Sequence, residues 1–392
     1  MSSSRVGWGK GGERLGMAAS GIRYAIVQKA EMGGLALPRR DRARRDRARR
    51  ADRRRSASVF SLMVLALLLS APQSPQCAGG EAGGDFFEEP RQWSLAIRWE
   101  NDTFNGTDRF YTNGVSLWLA HTGKSWLDAV ADRLPWGSGR RTVAYEAVHL
   151  MMTPADTSRR IPDRHDRPYA GILYMGLSLH VEDEDRYHGL KLVGGMVGPW
   201  SEAEEVQREV HRQVGSGRPR GWDYQLHNEP VLDLVYEHRR KYRLWDGSWG
   251  LGIEALPVGS LMLGNLLTQA QIGGQLRVGY SLPADFGTTL MRGMDYLPSP
   301  RPAAGRSRPR WGVFVYGGAN ANLVLHDISL DGNTWKHSRR VDREWLVPAA
   351  ETGLVVVTAR LSAAFSYVVW GREFRGQPEN SAFGAFTVSY RF

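Results

Sequence analysis

The sequence predicts an all-β protein: a twelve-stranded antiparallel transmembrane β-barrel with one short amphipathic helix near the rim. Three observations carry this. A segment laid out as an export signal precedes the body, apolar and polar residues alternate along most of the chain after Phe86, and the alternating runs are long and even in number.

The export signal accounts for an uneven charge. Of 51 Lys and Arg and 41 Asp and Glu, residues 1–55 hold 16 and 5, which leaves 35 against 36 for the rest. The formal charge of +10 therefore belongs to the front end and gives the body no basis for binding nucleic acid. The run RRDRARRDRARRADRRRSAS stops at an apolar block, Val59 to Ser70, followed by APQSPQCAGG. A basic region, a short apolar block and a small-residue exit make a secretory signal over 51–78, with cleavage near Ala78. A spanning helix needs roughly 20 apolar residues, more than this block supplies. Residues 1–50 form a basic leader with no place in that layout and read as an over-extended start. Ser-Pro-Gln before Cys77 lacks the apolar residue of a lipoprotein signal, so the body over 86–392 carries no cysteine. Disulfides and thiolate metal sites are excluded there.

Past Phe86 no apolar run reaches the length of a spanning helix. Period-two alternation marks strands instead. They are SLAIRWE (94–100), VSLWLAHT (115–122), VAYEAVHLMM (143–152), GILYMGLSLHV (171–181), YHGLKLVGGMV (187–197) and VLDLVYEHRRKYRLW (231–245). WGLGIEALPVG (249–259), LTQAQIGGQLRVGYSL (267–282), WGVFVYGGANANLVLH (311–326), WLVPAAETG (345–353), LVVVTARLSAAFSYVVW (354–370) and AFGAFTVSYRF (382–392) complete the set. A tilted spanning strand needs about 9–11 residues, and bacterial barrels close on an even count. Charges on alternate positions, such as Asp233, Glu237 and Arg277, suit a polar lumen. The Pro- and Gly-rich segment 283–309 reads as an extracellular loop.

One segment breaks the alternation. WSEAEEVQREVHRQVG (200–215) has helical spacing, with Ser201 and Glu204 placed for a capping box and Gly215 and Gly217 as a stop. Val206, Val210 and Val214 share a face, and Gln207 and His211 form a neighbouring pair four apart.

Candidate chemistry gathers in few places. His211, on the helix, is a proton acceptor near neutral pH, with a solvated surface histidine as the plainer reading. Asn101, Asp102, Thr112 and Asn113 crowd WENDTFNGTDRFYTNG at the starts and ends of two strands. Such oxygen-rich groups hold calcium or polarise a carbonyl, although Asn, Asp and Gly are also ordinary turn formers. DRHDRPYAG (163–171) and RGWDYQLHNEP (220–230) add Arg, Asp, Gln and aromatic residues. Neither a G-x-S-x-G elbow nor an HExxH zinc motif is present.

Taken together and in order, six motifs resemble the outer-membrane lipid A deacylase family. They are Asn101-Asp102-x-Phe104, Asp108-Arg109-x-Tyr111-Thr112-Asn113-Gly114, Asp166-Arg167-Pro168-Tyr169-Ala170-Gly171, the helix ending in Val210-His211, Gly221-Trp222-Asp223-x-Gln225, and Leu330-Asp331-Gly332-Asn333. The resemblance covers residues 90–392 and implies a twelve-stranded barrel of the Gram-negative outer membrane. It implies calcium-dependent hydrolysis of the ester-linked 3′ acyloxyacyl chain of lipid A. The implied catalytic set is His211, Asn101, Asp102 and Thr112: His211 activates water, Asp102 helps place Ca2+, and Asn101 and Thr112 orient groups or serve the oxyanion. Glu229, just after the helix, is a further candidate metal ligand, and Arg109, Arg160 and Arg167 are candidates for the lipid A phosphates. Lipopolysaccharide is the expected partner, and the protein is expected to act as a monomer. A passive channel, an adhesive barrel and an esterase for another membrane lipid are the alternatives.

Overall fold

The computed structural model describes residues 91–392 apart from residues 216, 289–292 and 295–310. The basic leader and the signal over 51–78 lie outside the described residues, as does most of the 283–309 segment. Thirteen ladder segments run in chain order: β1 Trp93–Asn101, β2 Phe110–Thr122, β3 Arg140–Thr153, β4 Ala170–Glu182, β5 Arg186–Val197, β6 Glu229–Arg240, β7 Tyr242–Asp246, β8 Leu251–Gly264, β9 Leu267–Tyr280, β10 Trp311–Asp327, β11 Leu346–Thr358, β12 Leu361–Trp370 and β13 Ser381–Arg391. Three helices interrupt them: α1 Asp128–Ala131, α2 Ala203–Val214 and α3 Ile328–Asp331.

Each strand pairs antiparallel with its neighbours in sequence, β1 pairs with β13, and β6 meets β8, so the sheet closes on itself. Segment β7 continues β6 along the same partner: Arg239 faces Val258 and Tyr242 faces Ala255. The break falls at Lys241, whose N–H leaves the ladder and donates to the Asp185 carbonyl. The barrel therefore has twelve strands, one of them interrupted. Closure pairs both edges of the spanning strands; β7, past the end of β5, pairs with β8 alone.

One boundary differs from the expected strands. The chain does not turn between Gly353 and Leu354; β11 runs on to Thr358 and reverses through Ala359 and Arg360. The Thr358 hydroxyl caps that two-residue reversal by accepting from the Leu361 N–H. A polar residue thus makes the turn where the apolar alternation seems continuous.

Alternation separates the two faces. Outward side chains are apolar, Ile272 reaching 71% exposure, and Trp245, Trp249, Trp311, Tyr390 and Phe392 ring the rim that holds the two strand ends of the chain. Trp99, Trp200, Trp335 and Trp345 stand exposed toward the opposite rim, giving the paired aromatic girdles of a lipid-embedded barrel. Among the described residues no helix is long and apolar enough to span; the strands do it.

The lumen is packed rather than open. An apolar cluster draws buried side chains from every segment except β1 and β7, with Tyr111, Trp370 and Phe383 in ring contact. Charged residues facing inward are paired: Lys191 with Glu146 at 2.8 Å, Arg239 with Glu237 at 2.9 Å, and Arg277 with Glu254 at 2.6 Å. Breaking such a buried pair leaves an uncompensated charge, which is strongly destabilising. The loop after β9 adds to the filling. Asp285 pairs with Arg277 at 2.5 Å, Arg239 donates to the Phe286 carbonyl, and Phe286 and Met294 are buried against Tyr187 and Gly189. This loop leaves from the rim of Trp93 and Phe392, the rim opposite the one from which helix α2 leaves. A packed lumen gives a direct expectation: the purified protein shows no discrete conductance steps in planar bilayers.

Candidate active site

Strand β1 ends at Asn101, whose Oδ1 accepts from the Thr103 N–H at 2.7 Å and starts a 3₁₀ turn, Asp102–Asn105. Gly106, at φ 72°, stops the turn in a conformation that suits glycine. The Asp102 side chain folds under this turn. Its Oδ2 accepts from the Arg109 N–H at 2.6 Å and the Thr107 hydroxyl at 3.1 Å, while its Oδ1 is buried without a hydrogen-bond partner. At 2% exposure, burial is the main reason its carboxyl is pushed up to about 8, with the nearby Asp108 charge acting the same way against the two donors.

Thr112 lies where β2 slips register against β3: Tyr111 faces Met152 and Asn113 faces Met151, leaving Thr112 as the extra residue of a bulge. Its hydroxyl meets that of Thr153 at 2.7 Å.

Helix α2 lies outside the barrel wall, against β3 and β4. Its entry is not the expected capping box. The Ser201 hydroxyl donates to the Gly198 carbonyl in a preceding 3₁₀ turn, and Glu202, at φ 58°, begins the helix without a side-chain cap. His149 Nε2 on β3 donates to the Ser201 carbonyl at 2.9 Å. Gly171 on β4 allows this seat, since a Cβ there would stand 2.1 Å from Ser201 Oγ and 2.4 Å from Ala203 Cβ. Gly171→Ala is therefore expected to leave the barrel folded but lift the helix start, lowering activity about tenfold or more and raising tryptic cleavage at Arg208 and Arg212.

The helix turns its polar face inward. Ala203, Gln207 and His211, four apart, are buried, whereas Val206 and Val210 are 40% and 45% exposed on the side away from the wall. His211 Nδ1 donates to the Gly217 carbonyl at 2.6 Å, so in the neutral ring Nε2 keeps its lone pair. That nitrogen faces Asp108 Oδ2 at 3.6 Å. Asp108 Oδ1 accepts from Gln207 Nε2 at 3.1 Å, and its Oδ2 accepts from the Thr157 hydroxyl at 3.3 Å. Burial raises the Asp108 pKa, with His211 pulling the other way. Behind Gln207 stands Trp222, whose Nε1 donates to Gln207 Oε1 at 2.7 Å and whose ring packs on Tyr169, 4.8 Å between centroids.

Asp108, on the same β1–β2 hairpin as Asp102, presents its carboxylate to His211 on the helix. Trp99, Phe104 and Phe365 form an exposed aromatic patch beside the turn, with successive centroids 5.4 and 5.6 Å apart. Other expected residues fall elsewhere. The Glu229 carboxylate, at the start of β6 and five strands from β1, accepts from the Thr334 N–H at 3.0 Å and Asn333 Nδ2 at 3.1 Å, anchoring that loop. Arg167 is fully buried, donating to Glu373 and Ser329 at 3.0 Å each, and is closed to a phosphate. Arg109 pairs with Glu379 at 2.7 Å but keeps partial exposure, and Arg160 is exposed. Asp108 and Trp222 are further candidates that the sequence pattern does not single out; the i, i+4 spacing of Gln207 from His211 marks only the helix face that they meet.

Among the described residues no three His, Cys, Asp or Glu side chains converge as a metal cluster. A hard cation such as calcium takes amide, hydroxyl, backbone and water oxygens beside a single carboxylate. The buried, unpartnered Asp102 Oδ1 fits that donor chemistry.

An apolar outer band around a closed antiparallel barrel, its lumen packed among the described residues, defines a class: an outer-membrane β-barrel. The sequence model of the family described as outer membrane protein LpxR matches residues 61–392, and the chain belongs to that family of outer-membrane lipid A deacylases. Membership makes it a hydrolase of the LpxR type, located in the Gram-negative outer membrane. The solved structure of LpxR from Salmonella typhimurium is similar at 17% identity, covering 76% of this chain and 99% of that one, with a TM-score of 0.62. The translocator domain of the autotransporter NalP from Neisseria meningitidis overlaps at 8% identity over 78% of this chain and 91% of its own, with a TM-score of 0.33. No curated protein sequence matches the chain.

Proposed function

We propose that the protein hydrolyses the ester-linked 3′ acyloxyacyl chain of lipid A in a calcium-dependent reaction, with His211 as general base. The observations that carry this are a histidine whose Nε2 lone pair is left free by the Nδ1 bond to Gly217 and faces Asp108 of the β1–β2 hairpin, and, in that same hairpin, an Asp102 oxygen buried without a partner.

His211 Nε2 takes a proton from water as the water oxygen adds to the ester carbonyl. The tetrahedral adduct collapses with loss of the sugar alkoxide, which recovers the proton from the imidazolium. The products are the free fatty acid and a 3′ hydroxyl on the glucosamine. Asp102, with amide and backbone oxygens of its turn, would hold calcium, which when bound polarises the ester carbonyl and stabilises the oxyanion. Asn101 uses Oδ1 on Thr103, leaving its Nδ2 to donate toward the reacting group. Thr112, turned by the bulge and set by Thr153, orients the same region. Acyl chains remain in the leaflet against Trp99, Phe104 and Phe365, and Arg109 and Arg160 are the cations left for the phosphates.

Mass spectrometry of lipid A after incubation with the protein in detergent, with calcium or with chelator, tests the reading. Loss of the 3′ acyloxyacyl unit only with calcium is expected. An unchanged lipid A from folded protein, beside cleavage of phospholipid, would transfer the assignment to another membrane ester.

A further inference from the structure

We infer that Asp108 is a positioning residue for His211, held in place by a relay that runs through Gln207 to Trp222. This rests on the reading of His211 as the base.

Directionality makes the relay specific. An indole N–H can only donate, so the 2.7 Å contact from Trp222 Nε1 fixes the Gln207 side chain with Oε1 toward the indole. Its Nε2 is then the group facing Asp108, which it reaches at 3.1 Å. A carboxylate can only accept, so this bond and the Thr157 hydroxyl at 3.3 Å set the Asp108 plane. Oδ2 is thereby presented to His211 Nε2 at 3.6 Å. That separation is too long for a good direct hydrogen bond. It lets the negative charge favour the imidazolium that forms when Nε2 takes a proton, without tying up the lone pair beforehand.

The partners come from four separate parts of the chain: the β1–β2 hairpin, the β3–β4 loop with Thr157, helix α2 and the loop after it. All of Gln207, Trp222 and His211 are buried, and Trp222 is backed by Tyr169, whose hydroxyl donates to the Thr157 carbonyl at 3.3 Å. The β3–β4 loop, through Thr157 and Tyr169, therefore touches the relay at both ends. Such a chain behaves as a unit, because each bond orients the next.

A tether between hairpin and helix would use the same contacts, so the test must separate charge from attachment. Asp108→Asn keeps the shape and an acceptor for Gln207 but removes the charge. With lipid A as substrate and active wild-type protein as reference, kcat of Asp108→Asn is expected to fall about 10²-fold with KM within about threefold. Tryptic cleavage at Arg208 and Arg212 should stay at the wild-type level, and Asp108→Glu should recover part of kcat. Trp222→Phe should lower kcat about fivefold to tenfold alone and add little in the Asp108→Asn background. Wild-type kcat in Asp108→Asn, a loss confined to KM, or a loss matched by helix proteolysis would overturn the assignment while leaving the deacylase reading intact. Full additivity of the two substitutions would overturn the relay. A wild-type protein inert toward lipid A removes the reading itself, and this assignment with it.

Discussion

His211→Ala lowers turnover of the lipid A ester by about 10²–10⁴-fold, the range that loss of a positioned general base produces. The expectation is specific because the ring has few other duties. Its Nδ1 bond ends on a backbone carbonyl six residues away, and the helix is seated by Gly171, Ala203 and the His149–Ser201 contact, two to three turns earlier. The barrel, built from ladders that do not involve the helix, should keep its wild-type circular dichroism and melting temperature. His211→Gln is the sharper form: an amide retains a donor for the Gly217 carbonyl but is no base. Kinetics in mixed micelles decide it. Turnover within about threefold of wild type would remove His211 from the chemistry.

Asp102→Asn separates activity from stability. Activity should fall about 10²–10³-fold, comparable with losing a main oxyanion-stabilising group. Stability should move the other way in the absence of calcium. The folded carboxyl titrates near 8, above its ordinary value of 3.8, so between those values the folded protein holds a proton that the unfolded chain has released. Stability from this group is fullest below about pH 4 and declines as the pH rises toward 8. Wild-type protein in chelator should therefore melt lower at pH 8 than at pH 6, and calcium should restore the difference by supplying the charge that Oδ1 lacks. Asp102→Asn should lose both the decline and the rescue. Thermal melts at the two pH values, with and without calcium, give the answer; a variant that responds to calcium as wild type does would place the ion elsewhere.

Much of the barrel could be read from sequence because period-two alternation and burial are the same fact in a wall with lipid on one side. Where several signals had to agree, they did: count, length and closure. The boundary at Ala359–Arg360 was hidden because neither glycine nor proline marks the reversal, which depends on a threonine hydroxyl. The missing capping box has a similar cause, since Ser201 serves the turn before the helix instead of the helix itself. In the candidate site, Asn101, Asp102 and Thr112 could be grouped because one hairpin carries them. The contact of Asp108 with Gln207 spans 99 positions, and no local pattern encodes it. Arg167 shows the opposite limit: an arginine in a polar motif suggested an anion, whereas its guanidinium is buried against Glu373 on a distant loop.

The outward valines of helix α2 bear on how this enzyme meets its substrate. On the function proposed above, the exposed Val206, Val210 and Trp200 would border the approach to His211 on its lipid side, and lipid A would reach it by lateral diffusion without leaving the membrane. Concentration in the ordinary sense then has little meaning for the rate. Turnover should follow the surface mole fraction of lipid A, falling as inert detergent dilutes a fixed amount of substrate and staying constant when substrate and detergent are raised together. Neighbouring lipids would then compete for the surface beside helix α2, and the composition of the outer leaflet would itself determine how often the site is filled.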